Sequence, residues 1–194
     1  MEATREWVGA VAGVVTLASF VGGLSLAWRV RRAASSAGIA FAPVAAAAVC
    51  CHSWLLYGRA AQEFTVVWVN ACGLPLMLVN AAVHRAYALN SGPGWLLLAA
   101  LGALQLTAPM MSVVWLGRVA SLYTVACNAA PVSRIRTEPL PELAAWALAA
   151  CGLWSAYGAL GGDVPLCASN LLGALVAAAE LTAAAFNRRQ HKQL

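Results

Sequence analysis

Long apolar runs broken by brief polar segments organise this chain. A helix that spans a bilayer needs roughly 20 apolar residues at about 1.5 Å rise each. On that basis the pattern predicts helices near 7–28, 39–58, 64–83, 94–112, 115–133, 143–161 and 164–186. Between 94 and 133 no polar loop intervenes, and Arg118 alone marks a boundary, its side chain reaching to the interface. Composition agrees with an all-α membrane protein: 62% of the 194 residues are hydrophobic and 10% charged. A soluble domain is about half apolar and a quarter charged, and one this small could not hide the excess. An ordinary soluble enzyme, a disordered chain and a nucleic-acid-binding module are excluded. The opening Met-Glu-Ala-Thr-Arg-Glu has neither the basic region nor the cleavage site of a signal peptide, so the first helix is expected to remain in the mature chain.

Charge then orients the spans. Arg29, Arg31, Arg32, Arg85, Arg134, Arg136, Arg188, Arg189 and Lys192 fall on one side, and Arg5, Arg59 and Arg118 on the other. The positive-inside bias predicts an outer or luminal N-terminus and a cytosolic C-terminus. The six cysteines, Cys50, Cys51, Cys72, Cys127, Cys151 and Cys167, all lie in apolar stretches without the spacing of a disulfide framework or a zinc site.

Shifting the chain by 100 positions superposes its special residues without a gap. Cys51 meets Cys151, Trp54 meets Trp154, Tyr57 meets Tyr157, Gly58 meets Gly158, Glu63 meets Asp163, Asn70 meets Asn170, Gly73 meets Gly173 and Asn80 meets Glu180. Helices 1–3 therefore correspond to helices 5–7, and because helices 1 and 5 both enter from outside, the repeat is parallel. The predicted organisation is two three-helix bundles, 1–91 and 114–187, joined by a linker helix in 92–113 and followed by a tail, 188–194.

The segment WLLYGRAAQEFTVVWVNACG at 54–73 resembles the helix 2 to helix 3 signature of the SWEET sugar transporters, and WSAYGALGGDVPLCASNLLG at 154–173 resembles its second copy. FVGGLSL at 20–26 and LGRVASLYTVACNAAP at 116–131 are similar to animal-type members. The resemblance covers roughly residues 7–187. It implies facilitative, bidirectional uniport of mono- or small disaccharides by alternating access, in a plasma or Golgi membrane, with a capacity to self-associate. It also implies hinges near the cytosolic helix ends. Pro43 and Pro131 match helices 2 and 5, and Pro141 or Pro139 serves for helix 6. Helix 1 departs from the pattern with Gly22 and Gly23, where Gly23 takes the hinge position. The linker after Pro131 is also short.

A sugar offers hydroxyls that donate and accept, and an apolar C–H face. An amide side chain meets the first need and an aromatic plane the second. Asn70 and Asn170 are the candidate amides, and Trp54 and Trp154 the planes. Trp54 lies about 6 Å below the outer end of helix 2, and Asn70 about 9 Å below the start of helix 3, so the two share a depth. The plain alternative makes the asparagines glue between helices and the tryptophans part of an interfacial belt.

Tyr57 and Tyr157 follow on the same helix face, and Glu63 and Asp163 at the next turn. By resemblance, tyrosine and acid from opposite halves close an outer gate, with Tyr57 and Asp163 the carried-over pair. The alternative is a belt tyrosine and loop acids. Gly58 and Gly158 are read as turn residues at helix ends. Glu180 reads as an acid deep in the last span, off the Asn170 face by about 280° of rotation, and either protonated or held by an interhelical hydrogen bond in a structural role rather than coupling protons. His52 reads as an interhelical contact, and His84 and Arg85 as cytosolic-side anchors.

No catalytic motif, metal-ligand spacing or cofactor loop appears. The chain is read as a transporter without cofactor, whose partners are its sugar and the lipid bilayer. Two rivals are a PQ-loop-type carrier of another small solute, although the naming Pro-Gln dipeptide is missing, and a scaffold that kept the fold without transport.

Overall fold

The computed structural model describes residues 2–88, 94–129, 132, 135 and 140–191. Among them are seven α-helices and no strand: α1 (Glu2–Ala33), α2 (Phe41–Ala61), α3 (Phe64–Ala86), α4 (Trp95–Thr107, extended by a 3-10 turn over Ala108–Met110), α5 (Val113–Ala129), α6 (Pro141–Gly161) and α7 (Val164–His191). The helix ends outrun the apolar spans where charge carries them on. α1 starts at Glu2 rather than 7 and continues through Arg31 and Arg32, which sit in its last turn. Five helices, α1, α2, α3, α6 and α7, are long and apolar enough to cross a membrane, while α4 with its 3-10 turn is shorter. α5 has 17 described residues, at the lower limit for a span. Pro131, Pro139, Arg134, Arg136 and Lys192 lie outside the described residues.

Contacts divide the chain into two compact units. In one, Thr16–Tyr123, α2 and α3 pair closely and α4 lies on α2. Val44, Ala48, Val49, Cys51, Met77, Ala81 and Leu97 form its buried core, covered by Phe20, Leu26, Leu101 and Tyr123. The other unit contains Met1–Val15 and Thr124–Leu194, and pairs α6 with α7. Its buried residues include Ala144, Cys151, Leu166, Ala174, Ala177 and Ala184. Burial repeats at the offset of 100: positions 66, 69, 70, 73, 77, 80 and 84 are buried on α3, and 166, 169, 170, 173, 177, 180 and 184 on α7. Spacing by three and four makes this one inward stripe on each helix.

The turn between each pair is built twice by one device. Gln62, with φ 59°, and Gly162, with φ 68°, take the left-handed conformation that ends a helix. The Glu63 N–H donates to the Gly58 carbonyl at 2.8 Å and the Asp163 N–H to the Gly158 carbonyl at 2.8 Å, with Gln62 and Gly162 bonding back to Arg59 and Ala159. This is the paired closure of a Schellman motif.

The structure corrects the role read for Gly58 and Gly158. Both lie inside their helices, before the turn, and are buried. A Cβ on Gly58 would stand 3.1 Å from the backbone nitrogen of Val67, and one on Gly158 2.7 Å from that of Cys167. These glycines allow two helices to cross at backbone distance; the turns themselves are made by Gln62 and Gly162.

Gly158→Ala is therefore expected to destabilise the folded protein by roughly 1–3 kcal/mol, because the obstructing atom is backbone and cannot swing aside. Gly152, where an added Cβ meets nothing within 4 Å, is the control. Gly152→Ala should leave stability equal or raise it by about 0.5–1 kcal/mol. Thermal unfolding in detergent compares the two.

Candidate functional site

Each unit presents the same aromatic and amide set. Trp54 and Tyr57, one turn apart on α2, meet edge to face with centroids 5.3 Å apart and planes at 86°. Trp154 and Tyr157 on α6 do the same at 5.6 Å and 86°. All four are buried, with 4–8% of their surface exposed. An interfacial belt would expose them, as it does Trp7 at 75%, Trp28 at 63% and Trp95 at 65%. The motif tryptophans and tyrosines thus line the interior of their units.

The asparagines are also buried and equivalent. The Asn70 Nδ2 donates to the Val66 carbonyl at 2.8 Å, and the Asn170 Nδ2 to the Leu166 carbonyl at 2.9 Å. These bonds run to each residue's own helix one turn back, and not across helices as glue would require. Each fixes its amide in one orientation and uses one of its two N–H groups, leaving the second N–H and the carbonyl oxygen outside that bond. Indoles, phenols and amides carry no formal charge, which suits a neutral, hydroxyl-rich solute.

Glu63 and Asp163 stand at the first positions before α3 and α7. Asp163 Oδ1 accepts the Leu166 N–H at 3.0 Å, an N-cap that secures the start of α7. Glu63 makes no such side-chain cap. Of the hinge candidates, Pro43 sits in the first turn of α2 and Pro141 opens α6, where a missing N–H breaks no ladder. Gly23 lies mid-helix, with its nearest side-chain atoms, Asn80 Nδ2 and Met77 Cε, at 3.7 and 3.8 Å from where a Cβ would be.

Glu180 requires a correction. It is 1% exposed and lies on the same inward stripe as Asn170, since a turn of 280° is only about 80° in the other sense and the stripe is broad. Its Oε1 accepts the Leu140 N–H at 2.9 Å, at the entry to α6. The carboxylate therefore ties α7 to the first turn of α6, where the helix dipole favours negative charge. In the first repeat, a different chemistry does the corresponding work. The ring of His84, late in α3, is 2.8 Å through Nε2 from the Ile39 carbonyl just before α2, and it packs on Phe41 with centroids 5.4 Å apart.

Three contributors escaped the sequence reading. Pro75 lies inside α3, five residues after Asn70, and interrupts the ladder there. Asn128, on α5, packs its amide where a Gly173 side chain would be, beside Cys151. Arg5 stands 4.4 Å from the centroid of the Tyr157 ring. Proline inside a predicted span was the available signal for the first; nothing local in the sequence marks the other two.

Against known proteins, residues 6–91 match the family described as sugar efflux transporter for intercellular exchange. The structure superposes on that of a eukaryotic SWEET transporter with a TM-score of 0.80, at 18% identity, covering 95% of this chain and 96% of that one. The chain is a multi-pass membrane protein with the fold of that transporter. Its fold is the all-helical SWEET fold, and the family it matches is one of sugar transporters rather than enzymes. No curated protein matches the chain in sequence.

Replacing Glu180 tests its assignment as a helix tether. Glu180→Leu leaves the Leu140 N–H without its acceptor and should cost roughly 1–3 kcal/mol. Glu180→Gln keeps a carbonyl oxygen in place and should retain most of the stability, with the pH dependence of transport unchanged. Thermal unfolding and flux measured at several pH values on both variants check this pair of outcomes.

Proposed function

We propose that the protein is a facilitative uniporter of mono- or small disaccharides, working by alternating access in a plasma or Golgi membrane. Its N-terminus faces outward or into the lumen, and its C-terminus the cytosol. The observation that carries the reading is the duplicated set: an indole, a phenol and a helix-oriented amide in the same geometry in each unit. In this reading Asn70 and Asn170 bond sugar hydroxyls while Trp54 and Trp154 cover its C–H faces. The first three-helix bundle, 1–91, and the second, 114–187, alternate about that sugar, with 92–113 as linker.

Tyr57, Asp163, Tyr157 and Glu63 form the outer gate, and Pro43, Pro131, Pro141 and Gly23 flex near the cytosolic ends. Self-association of whole transporters is compatible with this scheme. The neutral character of the four binding residues favours a sugar over a zwitterionic amino acid, which would want charged partners, and so separates this reading from a PQ-loop-type carrier. A scaffold without transport has no use for two matched sets of buried polar groups.

Asn70→Ala and Asn170→Ala test the pocket. Losing one hydrogen bond in a site made for hydroxyls costs roughly 1–3 kcal/mol. Each variant should bind sugar about tenfold or more weakly, per folded molecule. A structural role gives the reverse: lower melting temperature with binding per folded molecule intact. Unchanged sugar affinity in both variants removes the pocket assignment.

A further inference from the structure

α1 is one helix shared by two units: Met1–Val15 clusters with α6 and α7, and the residues from Thr16 onward with α2, α3 and α4. Arg5 makes the contact of its outer end. The guanidinium lies 4.4 Å from the centroid of the Tyr157 ring, within reach of a cation–π attraction. The same side chain crosses the end of α6 over Gly161, where a Cβ would come within 2.5–2.7 Å of its Nε, Nη2 and Cζ. Tyr157 in turn meets Trp154 edge to face at 5.6 Å. Arginine, tyrosine and tryptophan therefore form a continuous line of contacts, from the first turns of α1 to the candidate sugar plane.

The sequence is asymmetric at this point, in the direction the contact requires. The repeat mate of Gly161 is Ala61, so the glycine occurs in the copy over which the arginine passes. Phe20 covers Gly73 and Asn128 covers Gly173, which aligns α1 with α5 at an offset of 108. At that offset Arg5 corresponds to Val113, the first residue of α5. Whatever closes the first copy, an arginine from the equivalent position does not.

We propose that Arg5 is the bolt of the outer gate, pinning the outer half of α1 to α6 through Tyr157 and the groove over Gly161, and that outward opening requires its release. The proposal rests on the outer-gate reading of Tyr157. Arg5 here is a positioning residue: it acts on the gate tyrosine and does not touch the sugar. Losing a cation–π contact at a partly desolvated site shifts an equilibrium by about fivefold.

The test places nitroxide-bearing unnatural residues at the exposed positions 2 and 160 and measures their distance distribution in proteoliposomes, alongside sugar counterflow. Arg5→Gln and Gly161→Val should each raise the longer-distance population about fivefold and change the exchange rate while sugar affinity stays at the wild-type value. Arg5→Lys should restore much of the short-distance population. Arg59→Gln, which removes an exposed outer-side charge of the same sign, should leave both readouts unchanged. Wild-type distance distributions in Arg5→Gln and Gly161→Val overturn the bolt and leave the outer gate intact. A shifted distribution with an unaltered exchange rate overturns the gate reading itself, and the bolt with it.

Discussion

The backbone-to-backbone crossing at Gly58 and Gly158 is the constraint on which the rest depends. A Cβ at Gly158 would strike the nitrogen of the next helix and one at Gly58 would press against it, so glycine lets α6 approach α7, and α2 approach α3, this closely. The turn that follows is equally fixed, since the same glycine carbonyl accepts the N–H of Glu63 or Asp163 at 2.8 Å. Crossing and turn together set the register of each helical hairpin. With the register set, a tryptophan four residues before the glycine and an asparagine twelve residues after it fall at comparable depth. The candidate site is thus a consequence of how the hairpin closes.

Membrane burial explains why the asparagines are oriented as they are. An amide facing lipid would cost several kcal/mol unless bonded. Bonding one N–H to the carbonyl a turn back lowers that cost and spends part of the amide, the same part in both copies. A group held so is ready to receive a ligand, because less freedom is lost when the ligand arrives. The inward stripes of α3 and α7 share a register along their whole length, yet end in different chemistry, an imidazole near one helix entry and a carboxylate at the other. The two tethers arise at non-equivalent positions, since the repeat mate of His84 is Ala184 and that of Glu180 is Asn80.

Much of this was legible in the chain. Hydropathy marked most of the seven helices, but across 94–133 Arg118 was the only dividing signal, whereas the break lies after the Ala108–Met110 turn and Arg118 sits inside α5. An ungapped offset of 100 exposed the doubled motif before any contact was known. Helix ends were less legible: charge at Glu2 and at Arg31 and Arg32 prolongs α1 without belonging to an apolar run. Gly58 was read as a turn residue since glycine favours turns in general; what matters there is a neighbour contributed by the next helix. Glu180 was placed off the inner face by counting rotation in one sense alone. Arg5 was counted only as an outer-side charge, since its partners, Tyr157 and Gly161, lie more than 150 positions away.

Counterflow in proteoliposomes tests the central claim, that a duplicated indole–phenol–amide set moves a neutral polyol down its gradient. Vesicles carrying the purified wild-type protein are loaded with unlabelled solute and given a trace of the radiolabelled form outside. Transient accumulation of a labelled mono- or disaccharide, without a proton or ion gradient and without comparable accumulation of amino acids, is the predicted result. Accumulation of amino acids with no sugar signal, or no flux of any solute by protein that is demonstrably folded, would contradict the account.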